Sequence, residues 1–407
     1  MFWITGDIKE KCTMSDVVIV DGVRTPIGRM GGALSPFRPE ELAAFALKRL
    51  IEKTKIDPAI VEDVLIGHAC SNNAAVNIAR WAILKAGFPV SVTAQTVERQ
   101  CGSALQTTNS AAMGILAGVG DVYIAGGCES WSNAPHLMER QKVPFSLVPN
   151  AFIARETGPT PETNVAMGII AETLAEEWGI SREEQDAFGL RSQNLAIKAM
   201  DAGYYKEEIV PVVIPQKKGD PVIFDRDEHP RSTTMEKLAS LKPVFKKGGT
   251  VTAGNSSGMN DGGVALLLMS DKKCKDLGLK PMGRFVSCAL AGVEPKYMGI
   301  GPAHATPKAL QRAGLKLKDM DVVECNEAFA AQTLAVMKEL KKNGHHVDPE
   351  KWNPYGGAIA FGHPNGMSGG RLVLSALNYL KRTNGRYGLV TICIGGGQGI
   401  ATVLERI

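Results

Sequence analysis

The chain of 407 residues contains no uninterrupted apolar run of the roughly 18 residues that a membrane-spanning helix needs. A membrane span is therefore not expected. Charge of either sign is also not in excess, since 46 Lys and Arg against 42 Asp and Glu leave a net charge of +4. A dedicated nucleic-acid binder concentrates its basic residues into a stripe, so nucleic acid is not an expected partner. A few cations remain for an anionic small molecule. Of the eight cysteines (12, 70, 101, 128, 274, 288, 325 and 393), none forms a CxxC pair or falls into zinc-ligand spacing with a histidine, so no metal site is expected. Scattered through apolar and Gly-rich surroundings, they read as reduced thiols of a cytoplasmic protein. Residues 1–15 carry Asp7 and Glu10 and lack a long apolar core. They read as a short N-terminal extension rather than a signal peptide or an Arg-rich presequence, and Met14 offers an alternative start.

What is present is ordinary globular material, 44% hydrophobic and 22% charged, at a length that predicts two or three domains. Its 44 glycines gather in short turn motifs rather than in low-complexity tracts. Val17–Val20, Val64–Gly67, Ala94–Val97 and Val122–Ala125 read as strands, the last ending at Gly126-Gly127. Helices are predicted between them over Pro39–Lys53, over Asn77–Ala86 and after Cys101. The last third repeats the theme, with strands at Asp321–Glu324 and Leu389–Ile394 and helices over Ala328–Leu340 and Gly370–Leu380. Such alternation implies α/β layering, and the likeness of the two halves hints at a duplication. Between them, ten prolines from Pro135 to Pro243 mark a segment of different composition. Helices are predicted there over Thr163–Trp178 and Ser181–Ala202, and the segment reads as an insertion capping a site.

Cys101, in Arg99-Gln100-Cys101-Gly102-Ser103, lies where a strand gives way to a small-residue helix. Unpaired N–H groups and the macrodipole at a helix N-terminus favour a thiolate, which is the nucleophilic form. A lone cysteine is more often simply buried, so the reading depends on its companions. His363, in Gly362-His363-Pro364-Asn365-Gly366, sits in a rigid turn and can accept the thiol proton. Cys393, followed by Gly395-Gly396-Gly397, is a second thiol suited to moving a proton at a carbon beside a thioester. The glycines after it expose N–H groups to an oxyanion. Asn326, at a strand end, can hold a water or polarise an oxygen, or merely cap a helix.

Together these segments resemble the thiolase family, from about Val17 to the end of the chain. The likeness also takes in Arg24-Thr25-Pro26-Ile27-Gly28, Asn77-Ile78-Ala79-Arg80, Gly126-Gly127-Cys128-Glu129-Ser130, Val251 to Gly258, Asn326-Glu327-Ala328-Phe329-Ala330 and Gly356 to Ala360. The resemblance implies a fold of two βαβαβαββ halves in a five-layer αβαβα core with a cap. Its domains would be residues 16–130 plus 260–283, a cap at 131–259, and 284–407. It implies ping-pong acyl transfer: Cys101 carries the acyl group, His363 activates it, and Cys393 is the general acid/base. Two oxyanion sites follow, one from His363 with a water on Asn326, the other from the N–H groups of Cys101 and Gly395. Ser257 matches a pantetheine contact, and Arg231 falls where the cap meets the nucleotide end of coenzyme A. Lys237, Lys242, Lys246 and Lys247 could assist there or form a solvated face. The substrates would be acyl-CoA and CoA, with no cofactor beyond them, and the assembly a homodimer or homotetramer.

The chain departs from the family pattern in three places. Arg155 to Pro161 replaces a Met-Gly turn beside the acyl pocket, Asn353-Pro354-Tyr355 replaces Asn-x-Asn, and Asn365 stands where an aliphatic residue commonly follows His-Pro. These predict an altered acyl group, polar or branched, rather than strict acetoacetyl-CoA specificity. Ketoacyl synthases and hydroxymethylglutaryl-CoA synthases pair their cysteine with other residues, and Cys393 with Asn326-Glu327 favours thiolase. A non-catalytic acyl-CoA scaffold on this fold is the alternative from another class. Retention of Cys101, His363 and Cys393 speaks against it.

Overall fold

The computed structural model describes residues 16–71, 75–138 and 155–407, with the backbone alone at 152 and 153. The N-terminal extension, with Cys12 and Met14, lies outside the described residues. Strand β1 (Val17–Arg24) is buried along nearly its whole length, as a continuous apolar run requires. Then follow α1 (Pro39–Thr54), β2 (Asp63–Gly67), α2 (Ile78–Ala86), β3 (Thr93–Val97), α3 (Ser103–Leu116) and β4 (Val122–Ser130). An insertion carries α4 (Met167–Glu177) and α5 (Arg182–Asp201) before β5 (Asn260–Ser270) completes the first half. The second half runs β6 (Gly283–Gly292), α6 (Gly301–Ala313), β7 (Val322–Cys325), α7 (Ala330–Lys342), α8 (Asn365–Thr383), β8 (Tyr387–Ile394) and β9 (Gln398–Glu405).

The strands form one sheet in the order β7-β8-β9-β6-β1-β5-β4-β2-β3, with Gly28–Arg29 added beside β5. The halves meet at a short seam, where only Val18 with Arg284 and Ile19 with Gly283 pair β1 to β6. Helices α1 and α2 cover the outer face of the first half, and α6 and α7 cover that of the second. Helices α3 and α8 pack against each other between the two halves, sharing one core with both. This is the five-layer αβαβα arrangement. Helix α8 is buried along nearly all its length, and it carries the polar side chains of Ser368, Arg371, Ser375 and Asn378 into that interior.

The first half is βαβαβαββ. In the second, the third strand is reduced to a single bridge between Val323 and Trp352. The 3-10 turn Pro349–Lys351 before the bridge uses the N–H groups of Lys351 and Trp352, and Asn353 after it is left-handed at φ 44°, so neither side continues as extended strand. The other differences from the sequence reading are local. Strand β4 does not stop at Gly126-Gly127 but runs through both, because each glycine marks a close approach rather than a turn. A Cβ on Gly127 would overlap the Gly366 carbonyl, and one on Gly126 the Val264 carbonyl. Helix α4 begins only at Met167, since Thr163 and Asn164 close a turn onto the Thr160 carbonyl. Ser181 and Glu184 form the capping box expected of α5. The left-handed residue ending α8 is Asn384, one position before the glycine of Asn384-Gly385.

Arg24, at the end of β1, pins the insertion to the sheet. Its guanidinium holds Glu208 at 2.7 Å and both oxygens of Asp227 at 2.7 and 2.8 Å, all buried.

Candidate active site

Cys101 sits in a single 3-10 turn, Gln100–Gly102, between β3 and the first residue of α3. Gln100 takes a left-handed φ of 43°, a strained conformation for a side-chain-bearing residue. Ser103 holds the turn, donating to the Gln100 carbonyl at 2.7 Å and accepting from the Arg99 N–H at 2.9 Å. The turn delivers Cys101 to a cavity of about 480 Å³ shared with His363, Asn365, Trp131, Ser257 and Phe329. Three donors converge on the sulfur: the Asn365 Nδ2 at 3.1 Å, the Cys101 N–H and the Gly395 N–H. The helix-terminus position was expected to favour the thiolate. Burial instead pushes the Cys101 thiol up to about 11, against the downward pull of Asn365 and the two backbone groups.

His363 enters the cavity from the turn before α8. Its N–H is held by Asn260 Oδ1 at 3.1 Å and by the Gly258 carbonyl at 3.2 Å. Ser368 Oγ donates to the Pro364 carbonyl at 3.1 Å and therefore accepts at 2.6 Å from His363 Nδ1. That places the ring hydrogen on Nδ1 and the lone pair on Nε2. Asn326 Nδ2 lies 3.4 Å from Nε2, and its Oδ1 is buried without a protein partner. Burial, followed by the charge of Arg371, lowers the imidazole to about 3. The ring is neutral at any ordinary pH.

Cys393 is fully buried near the end of β8, opposite Gly399 of β9. Burial raises its thiol well above the usual range, and the neighbouring Cys101 and Cys325 sulfurs raise it further. Gly395–Gly397 form the β8–β9 turn, in which Gly396 and Gly397 take φ of 79° and 87°. Only glycine adopts this pair readily. Asn326 directly follows β7, its N–H on the Thr391 carbonyl at 3.0 Å. Ser257 lines the cavity, with Oγ and N–H both donating to the Ala328 carbonyl at 3.0 Å. Arg231 is exposed, donating to the Ala253 carbonyl at 3.4 Å beside His229, and has no ion pair among the described residues. Of the four lysines, Lys246 is paired with Glu176, and the other three are exposed.

The structure thus brings Cys101, His363, Asn326, Cys393, Gly395 and Ser257 to one place, with Arg231 at the Ala253 side. Several contributors were missed in the sequence. Ser368 and Asn260 fix His363. Glu327 holds Ser192 Oγ at 2.6 Å and Asn353 Nδ2 at 2.8 Å beneath Asn326. Glu129 accepts from the N–H groups of Ala69 and Gly366 and from His68, tying β4 to the start of α8. Tyr355 was expected near the acyl group but does not line the cavity. It packs against Tyr204 and Tyr379 at ring distances of 4.8 and 5.1 Å. Asn365 does line it. The Arg155–Pro161 loop passes near the glycine turn, where the Thr157 carbonyl faces Gly396.

Among the described residues, no three His, Cys, Asp or Glu side chains gather as a metal ion would need. No described helix is long and apolar enough to cross a membrane.

Residues 17–272 match the thiolase N-terminal domain and residues 279–406 the thiolase C-terminal domain. The chain belongs to the thiolase family and is an acyltransferase that performs thiolase chemistry. It is 48% identical to the 3-oxoadipyl-CoA/3-oxo-5,6-dehydrosuberyl-CoA thiolase of Escherichia coli, over 97% of this chain and 100% of that one. It is 47% identical to the acetyl-CoA acetyltransferase of Chromobacterium violaceum, over 96% of this chain and 100% of the other. The crystal structure of the Bacillus anthracis acetyl-CoA acetyltransferase superposes with a TM-score of 0.91 at 44% identity, covering 97% of this chain and 99% of that one.

Proposed function

We propose that Cys101 is the acyl carrier of a ping-pong reaction between 3-ketoacyl-CoA and CoA, run in either direction. The observation that carries this is one cavity holding a thiol ringed by N–H donors and a histidine whose lone pair lies on Nε2. Nε2 takes the Cys101 proton as the sulfur attacks the ketone carbon of the 3-ketoacyl-CoA. The carbon–carbon bond breaks, and the departing enolate carbon takes a proton from Cys393. Cys393, now a thiolate, takes the proton of the CoA thiol, the CoA sulfur displaces Cys101 from the acyl carbon, and His363 returns its proton to the departing Cys101 sulfur. The developing oxyanions lie against His363 with a water on Asn326, and against the N–H groups of Cys101 and Gly395. Ser257 supports the pantetheine arm, and the unpaired Arg231 suits the phosphates of coenzyme A. The mechanism needs no cofactor beyond CoA.

The acyl range extends beyond acetoacetyl-CoA in this reading. An amide at Asn365 and an indole at Trp131 line the cavity beside the sulfur. Relatives of nearly equal identity are named for 3-oxoadipyl-CoA and for acetyl-CoA. A cytoplasmic homodimer or homotetramer completes the proposal, supported by the outer edge of β3, which no described strand covers.

The test is incubation with a panel of acyl-CoA and 3-ketoacyl-CoA compounds, reading CoA release and S-acylation of Cys101 by mass spectrometry. Cys101→Ala should abolish acylation. Cys393→Ala should still acylate from simple acyl-CoA but neither condense nor cleave. An acylated Cys101→Ala protein, or a fully active Cys393→Ala enzyme, would refute these assignments.

A further inference from the structure

The Trp131 indole Nε1 can only donate a hydrogen bond, and it lies 2.8 Å from one end of the Asn365 amide. That end must be the carbonyl oxygen, so the end 3.1 Å from the Cys101 sulfur must be the NH₂ group. The orientation of this amide is therefore fixed by chemistry. An NH₂ group offers nothing to a thiol hydrogen but donates readily to a thiolate. Trp131 follows β4 and Asn365 opens α8, so two distant parts of the chain combine to aim one donor.

We propose that Asn365 is a catalytic residue, whose amide, aimed by Trp131, holds the Cys101 sulfur in its anionic form both when it attacks and when it leaves. This rests on Cys101 being the acyl carrier. In the forward step the thiol proton passes to His363 Nε2, the sulfur–carbon bond forms and the bond to the leaving group breaks. In the second step CoA thiolate adds to the same carbon, and Cys101 departs with its electron pair. Asn365 transfers no proton in either step. It supplies one charge-assisted hydrogen bond that an aliphatic residue at this position cannot make. Burial opposes the thiolate, and the Asn365 amide is the strongest of the groups acting against that burial.

The titratable groups facing Cys101 are His363 before α8, Cys393 near the end of β8, Glu129 on β4 and Cys70 after β2. All four stay in place in the test variants. The experiment follows iodoacetamide alkylation of Cys101 against pH, quantified on its own peptide by mass spectrometry. Asn365→Leu should shift the alkylation midpoint upward by the value of one hydrogen bond to a charged group, read below the midpoint as a roughly ten- to hundredfold lower alkylation rate near pH 8. Trp131→Phe keeps the ring, frees the amide and should raise the midpoint by a smaller amount. An unchanged midpoint in either folded variant overturns the proposal, and Trp131→Phe decides it alone if Asn365→Leu does not fold. Alkylation needs no acyl-CoA. Failure of the thiolase assignments would instead show in the S-acylation assay, with the midpoints free to shift as proposed.

Discussion

At His363 the proton rests on Nδ1 because Ser368 gives its own hydrogen to the Pro364 carbonyl and has only lone pairs left for the ring. Ser368→Ala would leave that N–H buried without an acceptor and let the other tautomer compete. The expected result is a kcat about tenfold lower, from a loss of 1–2 kcal/mol, with KM for acyl-CoA little changed. Steady-state kinetics checks this, and an unaltered kcat would count against the assigned tautomer. Cys101, His363 and Cys393 were legible in the sequence because each lies in a short glycine-bearing motif. Ser368 was not, since a serine in the first turn of a helix looks like any other. Asn365 stood out as a departure, yet its meaning depends on Trp131, 234 residues away. Contacts of that separation leave no trace in spacing. Tyr355 shows the converse, because a position beside a motif in sequence need not face the cavity.

Strands and helices were mostly legible, since apolar runs and caps act locally. The errors arose where a residue's role depends on what lies across from it. Gly126-Gly127 looks like a strand terminus in one dimension, whereas in the fold it is the gap through which the α8 N-terminus approaches β4. Gly127→Ala should therefore force the Gly366 carbonyl aside and disturb the turn carrying His363 and Asn365. A loss of about 1–3 kcal/mol is expected from overpacking, measurable by urea unfolding. The same variant should also lose acylation rate, because the displaced segment carries the base. Retention of both stability and rate would show that the strand and helix are less tightly coupled. The missing third strand of the second half was equally hidden, since the repeated pattern on either side of it suggested a full copy.

At the scale of the whole molecule, two of the buried groups raised towards their protonated forms bear on neutral pH. His68 is raised from 6.5 to about 11, burial being outweighed by its hydrogen bonds to Cys128 and Glu129. Burial raises Glu324 from 4.5 to about 8 despite the nearby Arg371. Between pH 6.5 and 8 the folded protein therefore keeps two protons that the unfolded chain has released, so stability falls as pH rises. The slope should approach about 1.4 kcal/mol per pH unit for each group. His363 and His229, both lowered, act in the opposite sense and only below 6.5. Urea unfolding across this window should show the decline, and Glu324→Gln should make it shallower, leaving the His68 part in place. A wild-type profile with no decline would contradict the assigned protonation states.

Helices α3 and α8, one from each half, both begin at the reaction cavity. Its described lining includes no Lys, Arg, Asp or Glu. Each helix start carries about half an elementary positive charge, spread over backbone N–H groups. The cavity thus has a polarity written in the main chain. Acidity cannot discharge it while the fold holds and no single side-chain replacement can erase it, although buried Glu129, accepting from the Gly366 N–H, offsets part of it at the start of α8. An anion formed beside Cys101 meets a potential as permanent as the two helices themselves.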